Sequence, residues 1–166
     1  MEIFNREKGE AEVNMMSPLT WAYVGDAVYE LYIRTHLVNI TRLKPHKLHL
    51  ESIKYVKAKA QAEMLEKLDN ILTEKEKEIA KRGRNTENHH VAKNATVQEY
   101  MYSTAFEALI GYLYLTKQDE RLKEVLEKCI EEKEELIGCL QEINFLFSHN
   151  SLAQAGGSKV RRILFL

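Results

Sequence analysis

Two acidic residues stand where their surroundings give no ordinary reason for a charge. Between Tyr100 and Leu115 the one charged side chain is Glu107, flanked by Phe106, Ala108, Leu109 and Ile110. Between Met15 and Ile33 only Asp26 and Glu30 are charged. A carboxylate in such company either reaches a helix surface or is partly buried with a compensating partner, because an uncompensated buried charge costs several kcal/mol. Two acids on two apolar helices can hold magnesium. That ion takes hard oxygen ligands, keeps several waters, and needs only one or two carboxylates when a substrate phosphate adds a ligand. It would activate water and neutralise charge on a phosphate. The same residues also admit a structural reading, in which each acid pairs internally with Arg34, Tyr23 or Tyr102. Asp26 follows Gly25, and a glycine inside a helix costs about 1 kcal/mol relative to alanine. A close approach by another backbone or a ligand would account for it. Gly111 invites the same reading in the later segment.

The elements that must carry these acids are helices. Ser17 is a good N-cap and Pro18 suits the first helical position, opening a helix to about Val38. Its apolar face holds Leu19, Ala22, Tyr23, Ala27, Leu31 and Ile33. A second helix is expected from about Pro45 to Leu72, with a kink near His49. Thr73 and Glu76 form a capping box for a third, which should end before Gly83. Gly83–Ala95 reads as a loop. Thr96 and Glu99 form another capping box and open a helix to about Lys117. A last helix covers about Asp119 to Ile137, with Leu122, Val125, Leu126, Cys129, Ile130 and Leu136 as its buried stripe. No segment alternates apolar and polar residues as a strand would, and the 166 residues include only two prolines and seven glycines. Sheet proteins need turn residues more often than that. The fold class expected is all-α.

Length and charge narrow the function. One domain is expected over residues 1–137, followed by a 138–166 extension of undecided role that contains the run QAGGSKVRRILFL. No apolar run reaches the roughly 20 residues of a membrane span. The N-terminus is polar, and Cys129 and Cys139 have no metal-ligand spacing, so a cytoplasmic location is expected. The net charge of −1 is unevenly spread. Residues 41–94 hold 13 Lys/Arg against 8 Asp/Glu, a balance of +5, and residues 119–135 hold 4 against 8, a balance of −4. A polyanion could rest on the first region and not on the second.

The segment YVGDAVYELYI (Tyr23–Ile33) resembles the ribonuclease III signature, in which a Gly-Asp pair sits on a long apolar helix. STAFEALIGYLYL (Ser103–Leu115) resembles that family's second motif, a Glu followed by Ala-Leu-Ile-Gly. The similarity is greatest to the Mini-III ribonucleases, the compact branch without a separate double-stranded-RNA-binding domain. VKAKAQAEML (Val56–Leu65), KRGRN (Lys81–Asn85) and VQEYMYSTAFEAL (Val97–Leu109) add to it, over about Pro18 to Glu120.

The resemblance implies a ribonuclease III-like helical bundle that works as a homodimer. It implies Asp26 and Glu107 as catalytic residues and metal ligands, Mg2+ as cofactor with Mn2+ as a substitute, and double-stranded RNA as substrate. Products would carry 5′-phosphate and 3′-hydroxyl ends. The RNA implied is precursor large-subunit (23S) ribosomal RNA, trimmed during maturation. Phosphate contacts are expected from Lys57, Lys59, Arg82, Arg84 and Lys93, the last three around the Gly83–Ala95 loop. Standard ribonuclease III carries further acids four residues before the Asp and three before the Glu; Ala22 and Thr104 stand there. With fewer protein ligands, more of the metal shell must come from water and phosphate. The same absence supports an alternative, a catalytically silent RNA-binding dimer acting in ribosome assembly.

Overall fold

The structure, a computed structural model, describes residues 8–86 and 96–131. Lys93, most of the loop after Thr86, and the 138–166 extension lie outside the described residues, as does the expected domain boundary after Ile137. Every regular element among the described residues is a helix, as the composition requires. They are α1 (Glu10–Asn14), α2 (Pro18–Ile40), α3 (Pro45–Val56), α4 (Ala58–Leu68), α5 (Glu74–Arg84) and α6 (Val97–Leu115), with a further helix, α7, described over 119–131. The described residues up to Cys129 form one compact unit.

Helix starts follow the capping chemistry. The Ser17 side chain accepts from the Leu19 amide, ahead of Pro18 at the first helical position. Thr73 with Glu76 and Thr96 with Glu99 each close a reciprocal capping box. Glu76 is buried, and the Arg121 guanidinium at the start of α7 lies 2.8 Å from it while also donating to the Ile71 carbonyl. That pairing holds the Glu76 carboxyl below its ordinary value despite burial.

Helix α6 is the axis of the molecule. From Ser103 to Tyr114 every side chain is buried except Glu107. Helices α2, α4 and α5 pack around it. Trp21 meets Tyr112 edge-on with ring centroids 5.3 Å apart, and Tyr29 meets Phe106 edge-on at 4.8 Å. The Trp21 indole N–H donates to the Val13 carbonyl at 2.9 Å, which ties α1 to α2.

Four sequence expectations differ from the structure. Of the apolar face expected on the first long helix, Tyr23, Ala27 and Leu31 are exposed, and the buried face runs through Trp21, Gly25, Tyr29, Ile33 and Leu37 instead. The second predicted helix is two helices. It breaks at Lys57 and not near His49, because Lys57 is extended (φ −65, ψ 147) and serves as both the C-cap of α3 and the N-cap of α4. Helix α5 runs through Gly83 to Arg84. This glycine is a packing site: an added Cβ would lie 2.7 Å from the Ala108 Cβ. The helix α6 stops at Leu115 rather than Lys117, since Lys117 takes a left-handed φ of 58 that ends the helical run.

Candidate active site

Glycine contact between two helices builds the site. A Cβ added to Gly25 would overlap the Glu107 carbonyl oxygen and come within 2.7 Å of the Gly111 nitrogen. A Cβ added to Gly111 would overlap the Trp21 carbonyl oxygen and come within 2.9 Å of the Gly25 nitrogen. The backbones of α2 and α6 therefore touch at this crossing, which two glycines permit and any side chain would forbid. Glu107 lies at the contact itself, and Asp26 follows Gly25 directly in the chain. The contact explains why a mid-helix glycine is retained, and it brings two acids 81 positions apart in the chain to one place.

Electrostatics report that proximity. Burial, and then the Asp26 charge, push the Glu107 carboxyl up to about 8. Asp26 is exposed, and partial burial of its carboxyl together with Glu30 keeps it above its ordinary value. Asp26 thus loses its proton first, and Glu107 ionises against the resulting charge. Among the described residues no basic side chain offsets the pair. Arg34, one of the internal partners considered above, pairs instead with Glu30, its guanidinium 2.7 Å from the carboxylate. Tyr102 lies under the Arg84 guanidinium at 5.6 Å. Tyr23 is 81% exposed.

The donor set suits a hard divalent cation. It offers two carboxylates near enough for the charge of one to act on the other, one of them exposed toward solvent. No group of three or more His, Cys, Asp or Glu comes together among the described residues. That thin set matches an ion that keeps several waters and accepts phosphate oxygens. The positions where further acids would stand are core positions: Ala22 is 5% exposed, and buried Thr104 donates its hydroxyl to the Tyr100 carbonyl at 3.0 Å.

Sequence reasoning passed over Gln61. It is 1% exposed on α4, and its carboxamide lies against Glu107, where it favours the charged carboxylate. Its amide nitrogen has no hydrogen-bond partner within normal geometry. The signal was present: Gln61 occupies the stripe it shares with buried Met64 and Leu68, a polar residue at a core position.

The basic residues divide into two groups. Lys57 and Lys59 are exposed at the start of α4, near enough to Glu99 to lower its pKa after its hydrogen bonds to Thr96 have done so. Lys57 is one turn before Gln61, whose backbone N–H donates to the Lys57 carbonyl at 3.1 Å. Arg82 is engaged elsewhere. It stacks on Trp21 at 4.5 Å and donates to the Asn14 carbonyl, holding α5 to the α1–α2 corner. Arg84 donates to the Asn85 side chain and lines a groove of about 480 Å³ with Lys77, Lys81 and Tyr102, which Glu66 and Asp69 make mixed in charge.

The Ribonuclease III domain family matches residues 19–118, which span both acids. A Mini-ribonuclease 3 of Streptococcus pneumoniae (strain ATCC BAA-255 / R6) is 50% identical over 125 residues, covering 74% of this chain and 98% of the relative. The chain belongs to the Mini-III ribonucleases. The Staphylococcus aureus Mini-ribonuclease 3 (strain NCTC 8325 / PS 47) is likewise 50% identical over 120 residues, covering 71% of this chain and 90% of the relative. A crystal structure of a Fusobacterium nucleatum protein is similar with a TM-score of 0.66 and 33% identity, over 74% of this chain and 98% of that one. As a Mini-III ribonuclease the chain is an endoribonuclease on a ribonuclease III-like helical bundle. Among its described residues no helix is long and apolar enough to cross a membrane.

Proposed function

We propose that this endoribonuclease is specific for double-stranded RNA, depends on Mg2+ with Mn2+ as a substitute, and uses Asp26 and Glu107 as its catalytic, metal-ligating pair. The observation that carries the reading is the meeting of these two acids at the Gly25–Gly111 contact. When bound, the ion would lower the pKa of water and offset negative charge on the scissile phosphate. Asp26 is open to solvent and would face the RNA backbone. Glu107 is more enclosed and, with Gln61 beside it, would hold its carboxylate in a fixed position. Exposed Lys57 and Lys59 would meet phosphates, and Lys93 is proposed from sequence alone. Arg84 would contribute from the edge of α5, and Arg82 would act mainly by fixing that helix. The substrate proposed is precursor 23S ribosomal RNA in the cytoplasm, cut by a homodimer.

The test is cleavage of long duplex RNA with Mg2+, comparing the parent protein with Asp26→Asn and Glu107→Gln. Short products from the parent and none from either variant are expected, with duplex binding retained. Cleavage that survives both substitutions would remove the site. Tight binding without cleavage by the parent would favour the silent RNA-binding dimer.

A further inference from the structure

Gln61 is costly where it stands. A buried carboxamide nitrogen without a well-aligned acceptor does not recover the hydrogen bonds it made to water. Gln61 is 1% exposed, and its Nε2 lacks a partner of normal geometry. Its neighbours on the same stripe of α4, Met64 and Leu68, show that an apolar side chain packs there. Helix stability and core packing therefore do not account for a glutamine. The group it faces on α6 is Glu107. A carboxylate only accepts hydrogen bonds, and a carboxamide nitrogen only donates them, so the two are complementary. The carboxamide is near enough to Glu107 to favour its charged form. One carboxylate oxygen held this way leaves the other for a cation.

Resting on the two-acid reading above, we propose that Gln61 is a positioning residue that fixes the Glu107 carboxylate in its ion-ligating orientation. Partners one step outside a metal site set the orientation of the ligands, and losing one costs roughly 10–100-fold in metal affinity. Gln61 touches neither RNA nor ion in this assignment.

The experiment uses the whole chain with Gln61→Met, which keeps length and volume. A purely structural glutamine predicts a lower Tm. The positioning role predicts an unchanged or raised Tm, because an unsatisfied buried donor is removed. Mn2+ binding to RNA-free protein, followed by the electron paramagnetic resonance of free Mn2+, should weaken about tenfold. The Mn2+ concentration giving half-maximal cleavage should rise by the same factor, with KM for duplex RNA unchanged and the rate recovering at high Mn2+. Gln61→Asn, which withdraws the amide by one methylene, should show a smaller loss of the same kind. Parent-like Mn2+ affinity in either folded variant overturns the proposal, and so does failure of both variants to fold. Glu107→Gln in parallel separates the two ideas. If it binds Mn2+ as the parent does, the two-acid site fails; if it loses Mn2+ while Gln61→Met does not, only the positioning role fails.

Discussion

At the scale of the residue, the proposed chemistry turns on a carboxyl whose proton is hard to remove. Glu107 has an ordinary value of 4.5 and is pushed up to about 8 by burial and then by Asp26. The native state thus binds this proton more tightly than the unfolded chain does. Its contribution to stability is intact below about 4.5 and is lost as pH rises toward 8. Without divalent ions, the Tm of the parent should fall over that window relative to Glu107→Gln. At pH 8.5 the variant should melt higher by roughly 5 °C. Added Mg2+ should shrink the difference, since a cation supplies the opposite charge the pair lacks. Parallel melting curves across pH, read by circular dichroism, would show that Glu107 is not under this stress. Both acids were legible in the sequence: Glu107 as the one charge in its apolar run, Asp26 as one of two, set next to a mid-helix glycine. Gln61 was less so, because its partner lies on another helix and only the packing of α4 on α6 reveals it. The fates of Arg82 and Lys57 were not legible at all. Both are basic residues in a basic region, and Arg82 is drawn inward by an aromatic ring 61 positions away in sequence, Trp21.

At the scale of the element, the glycines of α2 and α6 do what no capping signal could. Gly25→Ala should separate the two helices, since the new methyl would overlap the Glu107 backbone. Overpacking at a buried crossing costs about 2–4 kcal/mol, and the two acids would part as the helices do. Loss of stability in urea unfolding together with loss of cleavage is expected. Gly9→Ala is the control: nothing lies within 4 Å of its added Cβ, so both properties should stay near the parent's. A Gly25→Ala protein as stable as the parent would refute the close crossing. Helix starts could be read because their chemistry is local: Ser17–Pro18, Thr73 with Glu76, Thr96 with Glu99. Interruptions could not. Lys57 carries no Pro or Gly signal, and its extended backbone follows from how α3 and α4 dock separately on α2 and α6. Gly83 sent the opposite false signal. A glycine ends helices and also admits close neighbours, and only the presence of Ala108 across the interface decides between the two.

At the scale of the whole molecule, α2 has more apolar surface than one bundle can cover. Trp21, Gly25, Tyr29, Ile33 and Leu37 face inward and are buried. Tyr23, Leu31, Val38 and Ile40 stand on other faces and are exposed, Val38 by 60%. Exposed apolar side chains gathered on one helix mark a contact surface, here a stripe interrupted by the Glu30–Arg34 pair. Asp26 lies between Tyr23 and Glu30 on that stripe, so the cover would sit next to the site. In the homodimer proposed above, a second copy of the chain meeting the first through α2 about a two-fold axis would cover both stripes with one contact. It would also set two identical acid pairs on either side of the axis, one for each strand of the proposed duplex. Replacing Leu31 and Val38 together by Glu puts like charges across the axis while leaving the buried face of each protomer intact. Sedimentation equilibrium should then read half the parent's mass, with the circular dichroism melt of the protomer changed by no more than a few degrees. Cleavage should shift from cuts in both strands to single-strand nicks, because each monomer carries one acid pair. A parent protein that sediments as a monomer at micromolar concentration, or a doubly charged variant that remains paired, would move the interface away from α2 and leave the exposed stripe to some other occupant.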